Sequence, residues 1–206
     1  MMRVVVRYRI GLILAFCLGA LCLNGPADAV PSTPTTLTLM DIHGRAVAPL
    51  AAGAAAPRVF FFLSQTCPLC SEYAPEIGRL CDMYTPRGVA FSVVYTDADI
   101  RPAQARQHYT QHKFSCAALL DPAHRLSSRL GATVTPEVVV VDAKGRLLYR
   151  GRIDNRLLSW GVTHDPNVAD LSAALDAIRQ GQPVARPWHQ AIGCAIPKLT
   201  VSRPTP

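Results

Sequence analysis

No cluster of lysine and arginine in these 206 residues is interleaved with aromatic side chains, so the chain lacks the electrostatic footprint of a nucleic-acid binder. The net charge of +7 is spread along the sequence and reads as a soluble basic surface. No internal repeat is present, which excludes solenoids and propellers. The apolar run from Ile10 to Leu23 is shorter than the roughly 20 residues a membrane span needs, and Asn24-Gly25-Pro26 breaks any helix that follows it. Metal patterns are missing too. There is one Cys-x-x-Cys only, no histidine between Val134 and Val141, and no glutamate between His108 and His112, whose i,i+4 spacing reads as a solvated helix face. Neither a metal nor another cofactor is expected.

The beginning of the chain carries a targeting signal. Arg3, Arg7 and Arg9 precede the apolar run, and Ala27-Asp28-Ala29 forms a small-x-small cleavage site. Residues 1–29 are therefore expected to be a cleaved signal peptide that sends the protein to the periplasm or out of the cell. Cys17 and Cys22 follow Phe16 and Leu21 instead of a small residue, so lipidation is not expected. Cleavage removes three arginines and one aspartate and lowers the charge to +5. An oxidising compartment then lets disulfides persist. Five cysteines remain, Cys67, Cys70, Cys81, Cys116 and Cys194, and an odd count requires a free, intermolecular or cycling thiol.

Two of them define a candidate site. The β-rich run from Phe60 to Leu63 leads through Ser64-Gln65-Thr66 to Cys67-Pro68-Leu69-Cys70, where a helical pattern begins. A cysteine at a helix N-terminus faces unpaired N–H groups and the positive end of the dipole, which favour its thiolate. Cys67 is the expected nucleophile. Cys70, one turn on along the same face, is the expected resolving thiol.

The rest of the chain alternates strand and helix. A Pro/Ser/Thr linker spans 30–35, and Leu37 and Leu39 suggest a short strand that His43-Gly44-Arg45 folds back. Arg58 to Leu63 suits a strand buried on both faces, and helical spacing runs from Pro68 to about Met83. Val89 to Thr96 and Ala117 to Asp121 read as strands, with helices over 101–113 and 124–130. Asp142-Ala143-Lys144-Gly145 marks a hairpin between Glu137–Val141 and Leu147–Tyr149, and a last amphipathic helix covers 168–180. Asp97, Asp99 and Asp121, each at a strand end before a helix, are expected N-caps. This order predicts an α/β domain over 36–183 with a mixed sheet between helices, and a proline-rich tail over 184–206 that runs on the surface. Cys81 is expected in the core. Cys194 is expected in a structural disulfide, with Cys116, Cys81 or the active site as partner.

Three stretches resemble the thioredoxin fold and, within it, the redoxin group of thiol-specific antioxidant proteins and exported TlpA-like reductases. They are Cys67-Pro68-Leu69-Cys70, Ala132-Thr133-Val134-Thr135-Pro136-Glu137 and Tyr149-Arg150-Gly151-Arg152-Ile153-Asp154. Ile192-Gly193-Cys194-Ala195-Ile196 is also similar to the end of many such exported chains. The resemblance implies a thioredoxin-like three-layer α/β/α sandwich, with a cis Pro136 opposite the Cys-x-x-Cys helix and the Thr135 backbone placed to pair with an extended substrate. It implies a thiol-disulfide oxidoreductase acting on protein or small-molecule thiols and disulfides, with a membrane-bound electron donor. Two departures stand out: Phe61 occupies the position of the buried thioredoxin acid, and Thr66 replaces the usual tryptophan. Glu137 is the candidate substitute for the missing base.

Two other activities compete. A peroxiredoxin-like thiol peroxidase, an antioxidant, needs a hydroxyl three residues before the cysteine and a proline four before that; Ser64 satisfies the first requirement and Phe60 fails the second. A copper-binding assembly chaperone of the same fold spaces its cysteines by three residues and carries a histidine near the proline strand, and both features are absent here.

Overall fold

The computed structural model describes residues 36–51 and 57–199. The expected signal peptide (1–29), the linker (30–35) and the last residues of the tail (200–206) lie outside them. In chain order the elements are β1 (Leu39–Asp41), β2 (Ala46–Val47), β3 (Arg58–Leu63), α1 (Pro68–Tyr84), β4 (Ala90–Tyr95), α2 (Pro102–Gln111), β5 (Ala117–Leu120), α3 (Arg125–Leu130), β6 (Val134–Thr135), β7 (Glu137–Val141), β8 (Leu147–Gly151), β9 (Leu157–Ser159), β10 (Val162–Thr163), α4 (Asp170–Arg179) and β11 (Cys194–Ala195).

Seven strands form one sheet in the order β2-β1-β5-β4-β3-β7-β8. β3 pairs in parallel with β4 and antiparallel with β7, and β4 pairs in parallel with β5. The sheet is mixed because the β7–β8 hairpin adds antiparallel strands to a parallel centre. β3 is unbroken by polar residues after Arg58 because both its faces are covered. Val59, Phe61 and Leu63 point into one core cluster, with Tyr73 and Ile77 of α1 and Leu171 and Leu175 of α4. Phe60 and Phe62 point into the other, with Leu126 of α3 and Val139 and Val141 of β7. Two cores around one sheet make the three-layer sandwich.

The helix that carries the candidate site follows β3 directly. Its buried residues, Leu69, Cys70, Tyr73, Ala74, Ile77, Leu80, Cys81 and Tyr84, recur every three or four positions, so one face packs on the sheet. Pro68 opens the helix, where a missing N–H leaves no bond unmade. A 3₁₀ turn over Thr85–Arg87 and a left-handed Gly88 (φ +84°) end it.

Two expectations are corrected here. His108 of α2 does not sit on a solvated face: it is buried against Tyr95, whose hydroxyl lies 3.0 Å from Nδ1. Burial, followed by the neighbouring His112, pushes its imidazole down to about 4. Asp97 does not cap α2, because the loop before α1 engages both its oxygens, whereas Asp121 does accept from the first N–H groups of α3. The tail runs over the surface and is held there by backbone pairing. Residues 187–189 lie along β8, with Arg150 N–H donating to the Pro187 carbonyl (2.9 Å) and His189 N–H to the Arg150 carbonyl (3.0 Å). Further on, β11 pairs antiparallel with β6.

Candidate active site

Cys67 is the N-cap of α1, at the C-terminal end of β3, with extended backbone angles and no capping side chain. Cys67 N–H donates to the Ser64 carbonyl (3.3 Å) and Cys70 N–H to the Cys67 carbonyl (3.0 Å), so the approach to the helix is a closed turn. Asp97 fixes that turn from β4's end. Ser64 Oγ donates to Oδ1 at 2.6 Å and Gln65 N–H to Oδ2 at 3.0 Å, and Ser64 Oγ also lies 3.0 Å from Thr66 Oγ1. The Ser64 hydroxyl is thus committed to its own loop.

Across from Cys67, the Thr135–Pro136 peptide bond is cis and β6 presents its backbone to the sulfur. The Thr135 carbonyl oxygen is 3.2 Å from Cys67 Sγ. Glu137 supports this segment from below: its Oε2 accepts from Thr133 N–H (2.7 Å) and Val134 N–H (3.4 Å), and its Oε1 is 3.7 Å from Arg150 Nε. A carboxylate with these partners organises the proline loop. Among the described residues its hydrogen bonds go to Thr133 and Val134, and none goes to Cys70.

Cys70 is fully buried one turn into α1. Ser64 N–H donates to its Sγ at 3.5 Å. Burial pushes the thiol up to about 12; the Ser64 N–H and the Thr135 side chain pull in the opposite direction, and the Asp97 charge adds to the rise. Below α1, the Tyr73 hydroxyl donates to Asp154 Oδ1 (2.9 Å), and Arg156 grips the same carboxylate at 2.7 to 3.0 Å while its guanidinium stacks 4.4 Å over the Tyr73 ring.

The partner of Cys67 is Cys194. The two form a disulfide with Cα atoms 6.2 Å apart, and Cys70, Cys81 and Cys116 are free thiols. This pairing decides among the partners left open for Cys194. It also leaves Cys67 only 2% exposed. β11 has two residues and no alternating pattern, so the signals for this segment in the sequence were the odd fifth cysteine and the likeness of Ile192-Gly193-Cys194-Ala195-Ile196 to the ends of exported redoxins. A cavity of about 410 Å³ opens elsewhere, at the start of β4 and β5 beside β1 and β2, and takes no part in this site.

Comparison with known proteins agrees with the architecture. The family model described as Redoxin matches residues 28–159. Among solved structures, the chain is similar to an uncharacterized conserved protein from Geobacillus kaustophilus (24% identity, 81% of this chain and 90% of that one, TM-score 0.70). It is also similar to a hypothetical protein from Sinorhizobium meliloti (23% identity, 78% and 89%, TM-score 0.68). A more distant likeness is to a secreted Mycobacterium tuberculosis disulfide oxidoreductase homologous to E. coli DsbE (16% identity, 69% and 96%, TM-score 0.53). The search of curated proteins returned no match. With the sheet order, the helix-capping cysteine and a family match over most of its length, the chain belongs to the redoxin family of thioredoxin-fold thiol oxidoreductases.

Proposed function

We propose that this redoxin is an exported thiol-disulfide oxidoreductase that works as a reductase. The observation that carries the reading is the placement of Cys67 Sγ at the start of a 17-residue helix, 3.2 Å from the backbone edge of Thr135. In the reduced enzyme the helix terminus stabilises the Cys67 thiolate. That thiolate attacks one sulfur of a substrate disulfide; the bond to Cys67 forms, the substrate S–S bond breaks, and the second substrate sulfur leaves as a thiolate. Cys70 then gives up its proton and attacks Cys67 Sγ, forming the Cys67–Cys70 bond and releasing the reduced substrate. Two electrons have passed to the substrate, and a membrane-bound dithiol donor restores the enzyme. Thr135 offers N–H and C=O groups to an extended substrate, Pro136 turns that edge toward the sulfur, and Glu137 holds the loop.

The commitment of the Ser64 hydroxyl to Asp97 weighs against the peroxidase alternative, which needs that group for peroxide. In a disulfide-reduction assay, Cys67→Ser is expected to abolish turnover and Cys70→Ser, in protein that also carries Cys194→Ser, to accumulate mixed disulfides. Equal activity in both variants refutes the mechanism. A reductase requires a potential for the active dithiol near −270 mV, roughly thioredoxin's; a value near −120 mV, roughly that of a disulfide donor, reverses the assigned direction.

A further inference from the structure

The strand edge next to Cys67 is occupied by the protein's own tail. Cys194 stands opposite Thr135 and Ala195 opposite Val134 in antiparallel register. Ile196 N–H donates to the Thr133 carbonyl at 2.9 Å, and the Thr135 hydroxyl donates to the Cys194 carbonyl at 3.5 Å. Ile192 packs on the core cluster that includes α1, and Ile196 on the cluster that includes α3, so the segment is anchored on both sides of the cysteine. Gly193 passes so close to β6 that a Cβ there would sit 2.7 Å from the Thr135 carbonyl carbon. A side chain at that position would lift the strand away.

A purely structural disulfide has no need to join the one sulfur that caps α1, or to lie along the backbone edge beside it. The tail does both, as a bound peptide thiol would. We propose, building on the assignment of Cys67 as the exchanging thiol, that Cys194 is a third redox cysteine whose strand competes with extended peptide substrates for the Thr135 edge. The enzyme then alternates between a tail-closed form with the Cys67–Cys194 bond and a tail-open form with the Cys67–Cys70 bond. In the opening step the Cys70 thiol loses its proton and attacks Cys67 Sγ. The Cys67–Cys70 bond forms, the Cys67–Cys194 bond breaks, and Cys194 leaves as a thiolate that takes up a proton. No net oxidation occurs, and the reverse attack by Cys194 closes the site again. Substrates of this site are accordingly extended peptides carrying a disulfide-bonded cysteine, able to displace the tail strand.

The test uses the full chain equilibrated with a glutathione redox buffer, quenched with acid, alkylated and mapped by peptide mass spectrometry. A tethered thiol acts at millimolar effective concentration and strand pairing raises this further, so with about 1 mM glutathione Cys70→Ser should hold Cys67–Cys194 over the Cys67–glutathione adduct by about tenfold or more. In Cys70→Ser/Cys194→Ser, Cys67 should carry glutathione. Gly193→Val keeps every cysteine and should lower the ratio of Cys67–Cys194 to Cys67–Cys70 by about tenfold relative to wild type, since the tail loses its docked position. Equal glutathionylation of Cys67 in Cys70→Ser and the double variant, or an unchanged ratio in Gly193→Val, overturns the tail's role and leaves Cys67 exchange standing. A Cys67 that takes no glutathione in either serine variant removes the thiol-exchange reading, and this one with it.

Discussion

Reducing the Cys67–Cys194 bond should destabilise the domain substantially, because the bond closes a loop across most of it. The two cysteines are 127 residues apart. In the chain-entropy description, tethering ends at that separation restricts the unfolded chain by about 5 kcal/mol at 25 °C. This is as large as the entire stability of many single domains, which lies at roughly 5–15 kcal/mol. A bond between Cys67 and Cys70, only three positions apart, contributes about 1.5 kcal/mol by the same relation. Melting temperature therefore reports which pair is joined. For a domain of this size each kcal/mol moves the midpoint by roughly 2–4 °C, so full reduction should lower it by about 10–20 °C. The clean measurement is a calorimetric melt of Cys70→Ser with and without a phosphine reductant, since Cys194 is then the internal partner that Cys67 takes. Cys70→Ser/Cys194→Ser should melt like the reduced protein in both conditions. Coincident melts of oxidised and reduced Cys70→Ser would refute the closed loop and the entropic reasoning together.

Two further outcomes follow from the buried titratable groups. With its thiol pushed up to about 12, Cys70 is almost wholly protonated at neutral pH, and its thiolate fraction rises tenfold per pH unit on the alkaline side. Conversion of Cys67–Cys194 to Cys67–Cys70 should accelerate about tenfold per unit from pH 7 to pH 10, followed by quenched alkylation; a rate independent of pH contradicts attack by Cys70. Burial alone would raise the Asp154 carboxyl, but the hydrogen bonds from Arg156 and Tyr73 outweigh it and hold the group below the ordinary carboxylate range. Its stabilising contribution is complete above about pH 4 and is lost as pH falls through the depressed value. Asp154→Ala leaves Arg156 without its partner and should cost about 3 kcal/mol in urea unfolding at pH 7, with a flatter acid limb than wild type. Loss of less than about 0.5 kcal/mol would show the pair to be no more than a surface contact.

Much of the architecture was legible because β3 and α1 state it strongly. A run from Val59 to Leu63 with no polar break suits only a strand covered on both sides, and the spacing of Tyr73, Ile77 and Leu80 suits only a helix with one buried face. Cys67 and Cys70 were placed at that helix's start by Pro68 and by the strand before it, and they lie there. What escaped was set by distant pairing. His108 looks solvent-facing by spacing alone, and only the tertiary position of Tyr95 shows it to be buried. Asp97 has the sequence context of a cap, yet the Ser64-Gln65 loop, over thirty positions earlier, takes both its oxygens. β6 and β11 are two residues each, too short for a period-2 signal, and their register depends on Gly193 passing the Thr135 backbone. The choice of Cys194 as partner for Cys67 was therefore invisible locally.

The segment at 187–189 bears on how the protein survives at high concentration. β8 is the last strand of the sheet, and a bare last strand offers a row of free N–H and C=O groups to any other molecule that presents the same. Here Arg150 has both its backbone groups engaged by Pro187 and His189, and Gly151 carries no side chain to hold the segment off, since a Cβ there would run into the His189 backbone. One stretch of chain thus shields the border of the sheet before its continuation reaches Cys67. Removing it would bare the Arg150 backbone groups at that border, so the residues after α4 close the sheet edge as well as covering the sulfur.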